Sequence, residues 1–131
     1  MAPVPNYAAV PRLGRASLSV ANPNRDGTGT LVSLFTAGTN GSLVKEVTIK
    51  AIASTTAGMI RLFLYNGTNY TLHSELTVSA VTPSATAASF AGTINLRDAE
   101  SEPLELPSGW SLHCSTEKAE SFHVICKGAD F

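Results

Sequence analysis

Three histidines are the side chains best suited to bind a metal ion. His73, His113 and His123 each fall in the middle of a run of strand-forming residues. If residues 110–127 form a hairpin, His113 and His123 lie directly opposite each other across two strands. A zinc site normally needs three or four ligands, and no third ligand lies near this pair. We therefore predict solvated or interface imidazoles and no metal site.

Two cysteines, Cys114 and Cys126, are the candidate nucleophiles. Cys114 shares its strand parity with Trp110, and Cys126 shares its parity with Phe122, so both thiols are expected to point into the core. A reactive cysteine needs a partly exposed, electropositive setting and a base. The pattern favours two buried thiols, and in the hairpin register their diagonal positions make a disulfide possible but not favoured.

A cluster of oxygen-bearing side chains, Asn22, Asn24 and Asp26, resembles the start of a calcium loop. The glutamate that would complete the twelve-residue pattern is absent, because residues 31–33 are Leu, Val and Ser. We therefore interpret this cluster as a turn.

The acidic residues Asp98, Glu100, Glu102 and Glu105 form the remaining reactive cluster. Carboxylate pairs can perform acid–base chemistry, but an acidic run in a loop that contains a proline is more typical of a solvated surface. The sequence also lacks a Ser-His-Asp arrangement and a phosphate-binding glycine loop before a helix. We predict that the protein is not an enzyme and uses no cofactor or small-molecule substrate.

Composition restricts the class of protein further. The 131 residues are 44% hydrophobic and 15% charged, with a formal net charge of −1. This length fits one domain, and this balance excludes a disordered chain. The weak charge predicts no nucleic-acid partner. The N-terminal residues lack the apolar core of a signal peptide, and no apolar run reaches the length of a membrane span, so we expect synthesis in the cytoplasm and no membrane partner.

The elements that must position these side chains are β-strands. Short β-favouring runs alternate with turns rich in Gly and Asn at a spacing near ten residues, and no helical period is sustained. This pattern predicts an all-β, single-domain antiparallel β-sandwich of seven or eight strands. The predicted runs are Thr28–Thr36, Ser42–Ala51, Met59–Tyr65, Tyr70–Val78, Ser89–Leu96, Leu104–Leu106 with Trp110–Ser115, and Ser121–Lys127.

Residues 1–22 differ from the sandwich domain predicted over residues 23–131. Prolines recur in this segment and no periodic apolar pattern continues through it, so we predict an extended N-terminal arm. Such an arm is either a loose terminus or a tether to a neighbouring subunit. Its candidate contacts with another subunit are Pro3, Pro5, Tyr7, Pro11, Arg12 and Arg15.

One predicted strand, Met59–Tyr65, is apolar on both faces except at Arg61. This pattern is expected of a central strand, or of a strand whose outer face meets another subunit. Arg61, Phe63 and Tyr65 are therefore the candidate interface residues of the sandwich.

Several turn-and-strand segments resemble small virion structural proteins of tailed bacteriophages. The likeness spans residues 25–131, is carried by no catalytic motif, and rests on Asp26 to Val32, Thr36 to Ser42, Thr55 to Phe63, Asn66 to Tyr70, Leu106 to Leu112, Ser115 to Phe122 and Gly128 to Phe131. The resemblance implies a jelly-roll-like sandwich on the outer shell of the virion. It also implies a decoration (cement) protein that clamps major capsid subunits, often as a homotrimer.

Two other roles stay open. Within the virion, the chain could instead be a tail, neck or fibre component. Outside that class, Trp110, Tyr65 and Tyr70 could form the stacking platform of a carbohydrate-binding module, although a core position for Trp110 is favoured.

Overall fold

The computed structural model describes residues 8, 10–100 and 102–131. This part of the chain contains nine strands and no helix, and its two antiparallel sheets pack face to face, which confirms the β-sandwich. The strands are β1 (Val10–Leu18), β2 (Val32–Thr36), β3 (Ser42–Ala51), β4 (Gly58–Tyr65), β5 (Tyr70–Val78), β6 (Ala91–Asn95), β7 (Leu104–Leu106), β8 (Ser111–Thr116) and β9 (Phe122–Asp130).

The strand order is that of a jelly roll. The first sheet has the order β1-β9-β3-β6, with the short β7 also pairing with β3, and the second has the order β2-β8-β4-β5. Sequence-adjacent strands therefore mostly lie in opposite sheets, as two Greek keys wound into a sandwich require. The jelly-roll-like topology expected from the resemblance is thus present in the structure.

The core is built from the inward faces of both sheets. In β3, Val44, Val47 and Ile49 are almost completely buried and alternate with residues that reach the surface. A β-bulge between Val44 and Glu46 adds one residue, Lys45, to this strand and keeps the inward set aligned on both sides of the bulge. Simple alternation from Val47 and Ile49 would place Val44 on the outer face, and the bulge is the reason that Val44 is buried instead.

The predicted arm is wrong for residues 10–18, because they form β1 and pair with β9 along its whole length. Proline is tolerated at the edge of a sheet, and Pro11 lies near the start of this edge strand. Ala16 and Leu18 are buried in the core, so β1 belongs to the sandwich. A Cβ atom at Gly14 would collide with the backbone oxygen of Leu34 in β2. Glycine therefore lets the edges of the two sheets meet.

The predicted hairpin over residues 110–127 is also wrong. β8 pairs with β2 and β4 in the second sheet, whereas β9 pairs with β1 and β3 in the first. His113 and His123 therefore lie in different sheets and do not face each other. The predicted hairpin requires consecutive strands to pair. In a Greek-key sandwich, consecutive strands such as β8 and β9 can lie in different sheets instead.

Candidate functional site

The outer face of the second sheet is closed by residues 21–31, which we call the covering segment. It starts where Ala21 bridges to Thr116 at the end of β8, with the Asn22 N–H donating to the Thr116 carbonyl oxygen at 2.8 Å. Farther along, a Cβ atom at Gly27 would clash with the Tyr70 side chain. The covering segment therefore crosses this face from β8 to the start of β5.

Arg61 fixes the covering segment to β4. Its side chain is 1% exposed. Its Nε donates to Glu75 Oε2 at 3.0 Å, and its Nη1 donates to the Asn22 carbonyl oxygen at 3.4 Å. Arg25 Nε, on the covering segment, donates to the same Glu75 oxygen at 2.8 Å. The hydrogen bond from Arg25, with the further help of Arg61, lowers the pKa of Glu75. One carboxylate thus joins two guanidinium groups from different elements.

The side chain of Asn22 holds the covering segment together through hydrogen bonds within the segment. Its amide Nδ2 donates to the carbonyl oxygens of Thr28 and Thr30 at 3.0 and 2.9 Å, and its Oδ1 accepts the Asn24 N–H. Asp26 accepts hydrogen bonds from the N–H and hydroxyl of Thr28, and these lower the pKa of Asp26. The Oδ1 atoms of Asn22 and Asp26 are therefore bonded to the protein's own donors, as the interpretation of this cluster as a turn predicts.

The structure rejects two of the three candidate interface residues on β4. Arg61 and Phe63 are 1% and 0% exposed within the single chain, so neither can contact another subunit. β4 is a central strand between β8 and β5, and its outer face meets a segment of the same chain. Tyr65, at the end of β4, is half-buried and remains accessible.

Three half-buried rings form an aromatic cluster on this face, beside Gly27 of the covering segment. The rings of Tyr65 and Tyr70 stack with their centroids 4.2 Å apart, and His113 meets both rings edge-on at 5.4 and 5.2 Å. Burial lowers the pKa of His113. Trp110 instead packs against the core. The structure therefore brings Tyr65 and Tyr70 together but places Trp110 away from them.

Among residues 8, 10–100 and 102–131, no segment crosses the outer face of the first sheet in a comparable way. We call it the open face; it is built from the outward residues of four strands, namely Leu13, Arg15, Ser17, His123, Ile125, Lys127, Glu46, Thr48, Lys50, Ala91, Thr93 and Asn95. Leu13 and Ile125 are 70% and 41% exposed. They are diagonal neighbours on β1 and β9, because Leu13 pairs with Lys127 and Ile125 pairs with Arg15. Exposed apolar side chains on a rigid sheet are typical of a docking surface.

A depression of about 550 Å³ lies at one end of the open face. The bulge in β3 brings Lys45 to the depression beside Lys127 of the neighbouring strand β9. Lys127 forms an exposed ion pair with Glu46 at 3.2 Å, whereas Lys45 has no ion-pair partner in the described part of the chain. The depression is lined by Pro11, Arg12, Leu13, Lys45, Lys127 and Gly128.

The two arginines of β1 have different roles. Arg12 Nη1 donates to both carboxylate oxygens of Asp130 at 2.9 and 2.8 Å, and its guanidinium lies 4.8 Å from the centre of the Phe35 ring. Hydrogen bonds from Ser42 and Arg12 lower the pKa of Asp130. Arg12 is therefore partly committed to contacts within the chain. Arg15 is exposed on the open face, and Pro3, Pro5 and Tyr7 lie outside the described residues.

The remaining candidate residues form no reactive centre. Cys114 and Cys126 are free, buried thiols, and burial raises the pKa of each to about 12. His73 is the bulged residue of β5, because Leu62 pairs with Ser74 and Phe63 pairs with Leu72. It lines a cavity of about 300 Å³ together with the acidic residues that follow β6, and burial lowers its pKa.

Within residues 8, 10–100 and 102–131, no group of three or more His, Cys, Asp or Glu side chains is placed to hold a metal ion. The same residues contain no helix long and apolar enough to cross a membrane. No model of a known protein family matches the sequence, and no curated protein matches it. The open face is the strongest candidate for a functional surface, because it combines exposed apolar side chains with exposed cations.

The open face was missed in the sequence because β1 was interpreted as part of an arm. The available signal was the alternation of Leu13, Arg15 and Ser17 with Gly14, Ala16 and Leu18. Small residues on the inward side weaken this signal, because glycine and alanine carry little of the hydrophobic contrast on which a strand prediction depends.

Proposed function

We propose that this chain is a structural protein of a bacteriophage virion that binds the outer capsid surface and strengthens contacts between major capsid subunits. The observation that carries the proposal is the open face, where Leu13 and Ile125 are exposed beside several cations on a rigid sheet. Such a face offers apolar contact area at its centre and charged groups around it, as protein interfaces do.

The jelly-roll topology is compatible with this role. The same architecture recurs in viral capsid proteins and in lectin domains, so by itself it selects neither class. The phage-like turn segments favour the virion. The weight of the proposal therefore rests on protein binding through the open face.

The proposal is tested with purified capsids of the virus that encodes the chain. We expect the purified protein to bind these capsids, and Leu13→Glu or Ile125→Glu to weaken binding. Val20→Glu is the matched control, because Val20 is 55% exposed and lies between β1 and Ala21, which bridges to β8 of the second sheet. Absence of the wild-type protein from purified particles, together with no binding to capsids, would overturn the proposal.

The contribution of the N-terminal residues requires a separate variant. Deleting residues 1–20 would remove β1 and with it the buried side chains of Ala16 and Leu18. Deleting residues 1–9 leaves β1 whole and removes Pro3, Pro5 and Tyr7. Weaker capsid binding by this shorter deletion, with unchanged thermal stability, is expected if these residues contact a neighbouring subunit.

A tail, neck or fibre position is the alternative within the virion. Copy number separates the two, because a decoration protein covers a shell of many capsid subunits, whereas a tail or neck component is present in few copies. Quantitative densitometry of purified particles, with the major capsid protein as the internal standard, measures this ratio. A low ratio would favour the tail or neck.

Carbohydrate binding is a second candidate function, favoured by the stacked and partly exposed rings of Tyr65 and Tyr70. Aromatic rings at a surface can stack on sugar rings. A glycan array tests it: binding that is lost in Tyr70→Ala and kept in Tyr65→Phe would support this function, and no signal on any glycan would exclude it.

A further inference from the structure

Two Asn-Gly pairs in the chain, Asn40-Gly41 and Asn66-Gly67, are open to deamidation without an enzyme. In this reaction the backbone nitrogen of the glycine attacks the side-chain carbonyl carbon of the asparagine. Glycine favours the attack, because it has no Cβ atom and lets other groups approach its backbone closely. Both pairs have the same chemistry in an unfolded chain, so a difference between them in the folded protein comes from the fold.

Asn66-Gly67 lies in the loop between β4 and β5, where the carbonyl group of the Asn66 side chain meets two donors. The Asn66 Oδ1 accepts the N–H of Thr68 at 2.9 Å and the N–H of Asn69 at 2.7 Å. Backbone donors at such distances form an oxyanion hole, which stabilises the negative charge that an attacked carbonyl oxygen develops. The same two bonds fold the side chain forward over Gly67. The loop therefore polarises the carbon that Gly67 attacks.

The attacking nitrogen of Gly67 is also unengaged. Its N–H donates to no acceptor among residues 8, 10–100 and 102–131, and both Asn66 and Gly67 are exposed. A Cβ atom at Gly67, where φ is 95°, would meet nothing within 4 Å, so the space beside this residue is open. The Gly67 carbonyl oxygen accepts the Tyr65 hydroxyl at 3.0 Å, which holds the loop in place. Nothing in the loop has to open before the attack.

Asn40-Gly41, between β2 and β3, is the opposite case. Gly41 is buried, and its N–H donates to the Gly38 carbonyl oxygen at 3.0 Å. Its own carbonyl oxygen accepts the Phe131 N–H at 3.2 Å. The side-chain oxygen of Asn40 accepts no hydrogen bond from the described part of the chain. Attack at Asn40 therefore requires this turn to open first, and a locally opened state is a minor population.

We propose that Asn66 is a self-modification site that deamidates in the folded protein, whereas the fold protects Asn40. The Gly67 nitrogen forms a bond to the carbonyl carbon of the Asn66 side chain, and the bond from that carbon to Nδ2 breaks. Ammonia leaves with the proton that the Gly67 nitrogen loses. Water then adds to either carbonyl carbon of the resulting five-membered imide and opens the ring, which gives aspartate or isoaspartate. This inference does not depend on the virion role, because only the chain and water take part.

The modification changes the loop in two ways. Each product adds one carboxylate, which makes the formal net charge of −1 more negative by one. Isoaspartate also adds one carbon to the backbone between residues 66 and 67, and this displaces the Gly67 carbonyl group from the Tyr65 hydroxyl. Tyr65 stacks on Tyr70, so the modification is expected to disturb the aromatic cluster.

Peptide mapping by mass spectrometry measures the reaction in the purified full-length protein during incubation at mildly alkaline pH, because each deamidation adds one mass unit. The same incubation in concentrated guanidinium gives the rates of the unfolded chain. We expect Asn66 to deamidate in the folded protein at least as fast as in guanidinium. Asn40 is expected to be slower than Asn66 by about tenfold or more in the folded protein, because its turn must open, and the two rates are expected to be similar in guanidinium.

Gly67→Ala separates the effect of this peptide from a general effect of backbone strain. The added Cβ hinders the attacking nitrogen, so we expect a several-fold lower rate at Asn66 and an unchanged rate at Asn40. Gly109→Ala is the matched control, because Gly109 also has a positive φ, 87°, and a Cβ atom there also meets nothing within 4 Å. It is expected to leave both rates unchanged. If Gly67→Ala does not fold, the wild-type rates decide alone.

Three results would overturn the proposal. The first is an Asn66 rate in the folded protein well below its rate in guanidinium, which would show that the loop protects this asparagine. The second is equal rates at Asn40 and Asn66 in the folded protein. The third is an Asn66 rate that Gly67→Ala and Gly109→Ala change equally while both variants keep the wild-type circular dichroism spectrum.

Discussion

The outer face of the second sheet is crossed by residues 21–31 of the same chain, whereas no segment of the described part of the chain crosses the outer face of the first sheet. On the second sheet, Arg61 and Phe63 point away from the sandwich core and yet are fully buried. On the first sheet, Leu13 points outward and is 70% exposed. Large outward side chains therefore have different roles on the two faces. On the second sheet they hold a segment of the same chain, and on the first sheet they form exposed contact area.

An apolar run on both faces of a strand indicates that both faces are covered, but it does not identify what covers them. The run Met59–Tyr65 indicates that both faces of β4 are covered, and it was compatible with a central strand or a subunit interface. In the structure, the covering segment of the same chain lies over β4, and it is held there by the hydrogen bonds of Asn22 and Arg25. The sequence of β1 also alternates, but glycine and alanine on its inward side weaken the pattern, so the strand over residues 10–18 is not predicted.

Phe63→Ala should give the largest difference between the two faces. Removing a completely buried ring leaves a cavity and is expected to lower the free energy of unfolding by about 3–5 kcal/mol. The matched change on the open face, Ile125→Ala, is expected to cost less than about 1 kcal/mol. Urea denaturation of both variants measures the two values, and equal losses would contradict the assignment of one face as covered.

Arg61→Met should cost about 2–3 kcal/mol, because it removes the donor to Glu75 and leaves the Asn22 carbonyl oxygen without that partner. The loss stays below that of a fully buried ion pair, since Glu75 keeps its bond to Arg25 and is partly exposed. Arg15→Met on the open face is the control and is expected to change the free energy of unfolding by less than about 0.5 kcal/mol.

Asn22→Ala should cost about 1–2 kcal/mol, because the side chain holds three backbone groups of the covering segment. We also expect faster amide hydrogen exchange in residues 21–31, with no change in β1 or β9. Exchange that stays slow throughout the covering segment would show that Asn22 does not hold it closed.

The pH dependence of Glu75 should give the smallest effect. Its pKa is lowered in the folded state from the ordinary value of 4.5. Its contribution to stability is therefore complete above the unfolded pKa and is lost as the pH falls through the folded pKa. We expect the difference in free energy of unfolding between the wild type and Glu75→Gln to be largest near neutral pH and to shrink below about pH 4. A difference that is constant with pH would contradict the role of the ionised carboxylate.

Much of the sandwich could be predicted from the sequence. The bounds of β3 and β5 match their predicted runs, because alternation over nine or ten residues between turns leaves little choice of register. The buried state of both cysteines also followed from strand parity. The pairing of strands could not be predicted in this way, because hydrophobic periodicity identifies the buried face of a strand but not its neighbour.

The functional surfaces were harder to predict for the same reason. The open face requires β1, β9 and β3 to lie side by side, which brings Leu13, Ile125 and Lys45 together from distant parts of the sequence. Arg61 carried a visible signal, a lone charge in an apolar strand. Its partners Asn22 and Glu75 are 39 and 14 residues away, so the position of Arg61 in the sequence does not indicate which elements it joins.

The two buried cysteines are probes of how often the sandwich opens. Cys114 lies in β8 and Cys126 in β9, one in each sheet, and both are closed to solvent with thiols that stay protonated near neutral pH. A thiol reagent can modify them only when the protein opens, so the labelling rate measures how often each layer separates from the other. Equal rates at the two positions would mean that the sandwich opens as a unit, and a faster rate at one would identify the layer that leaves first.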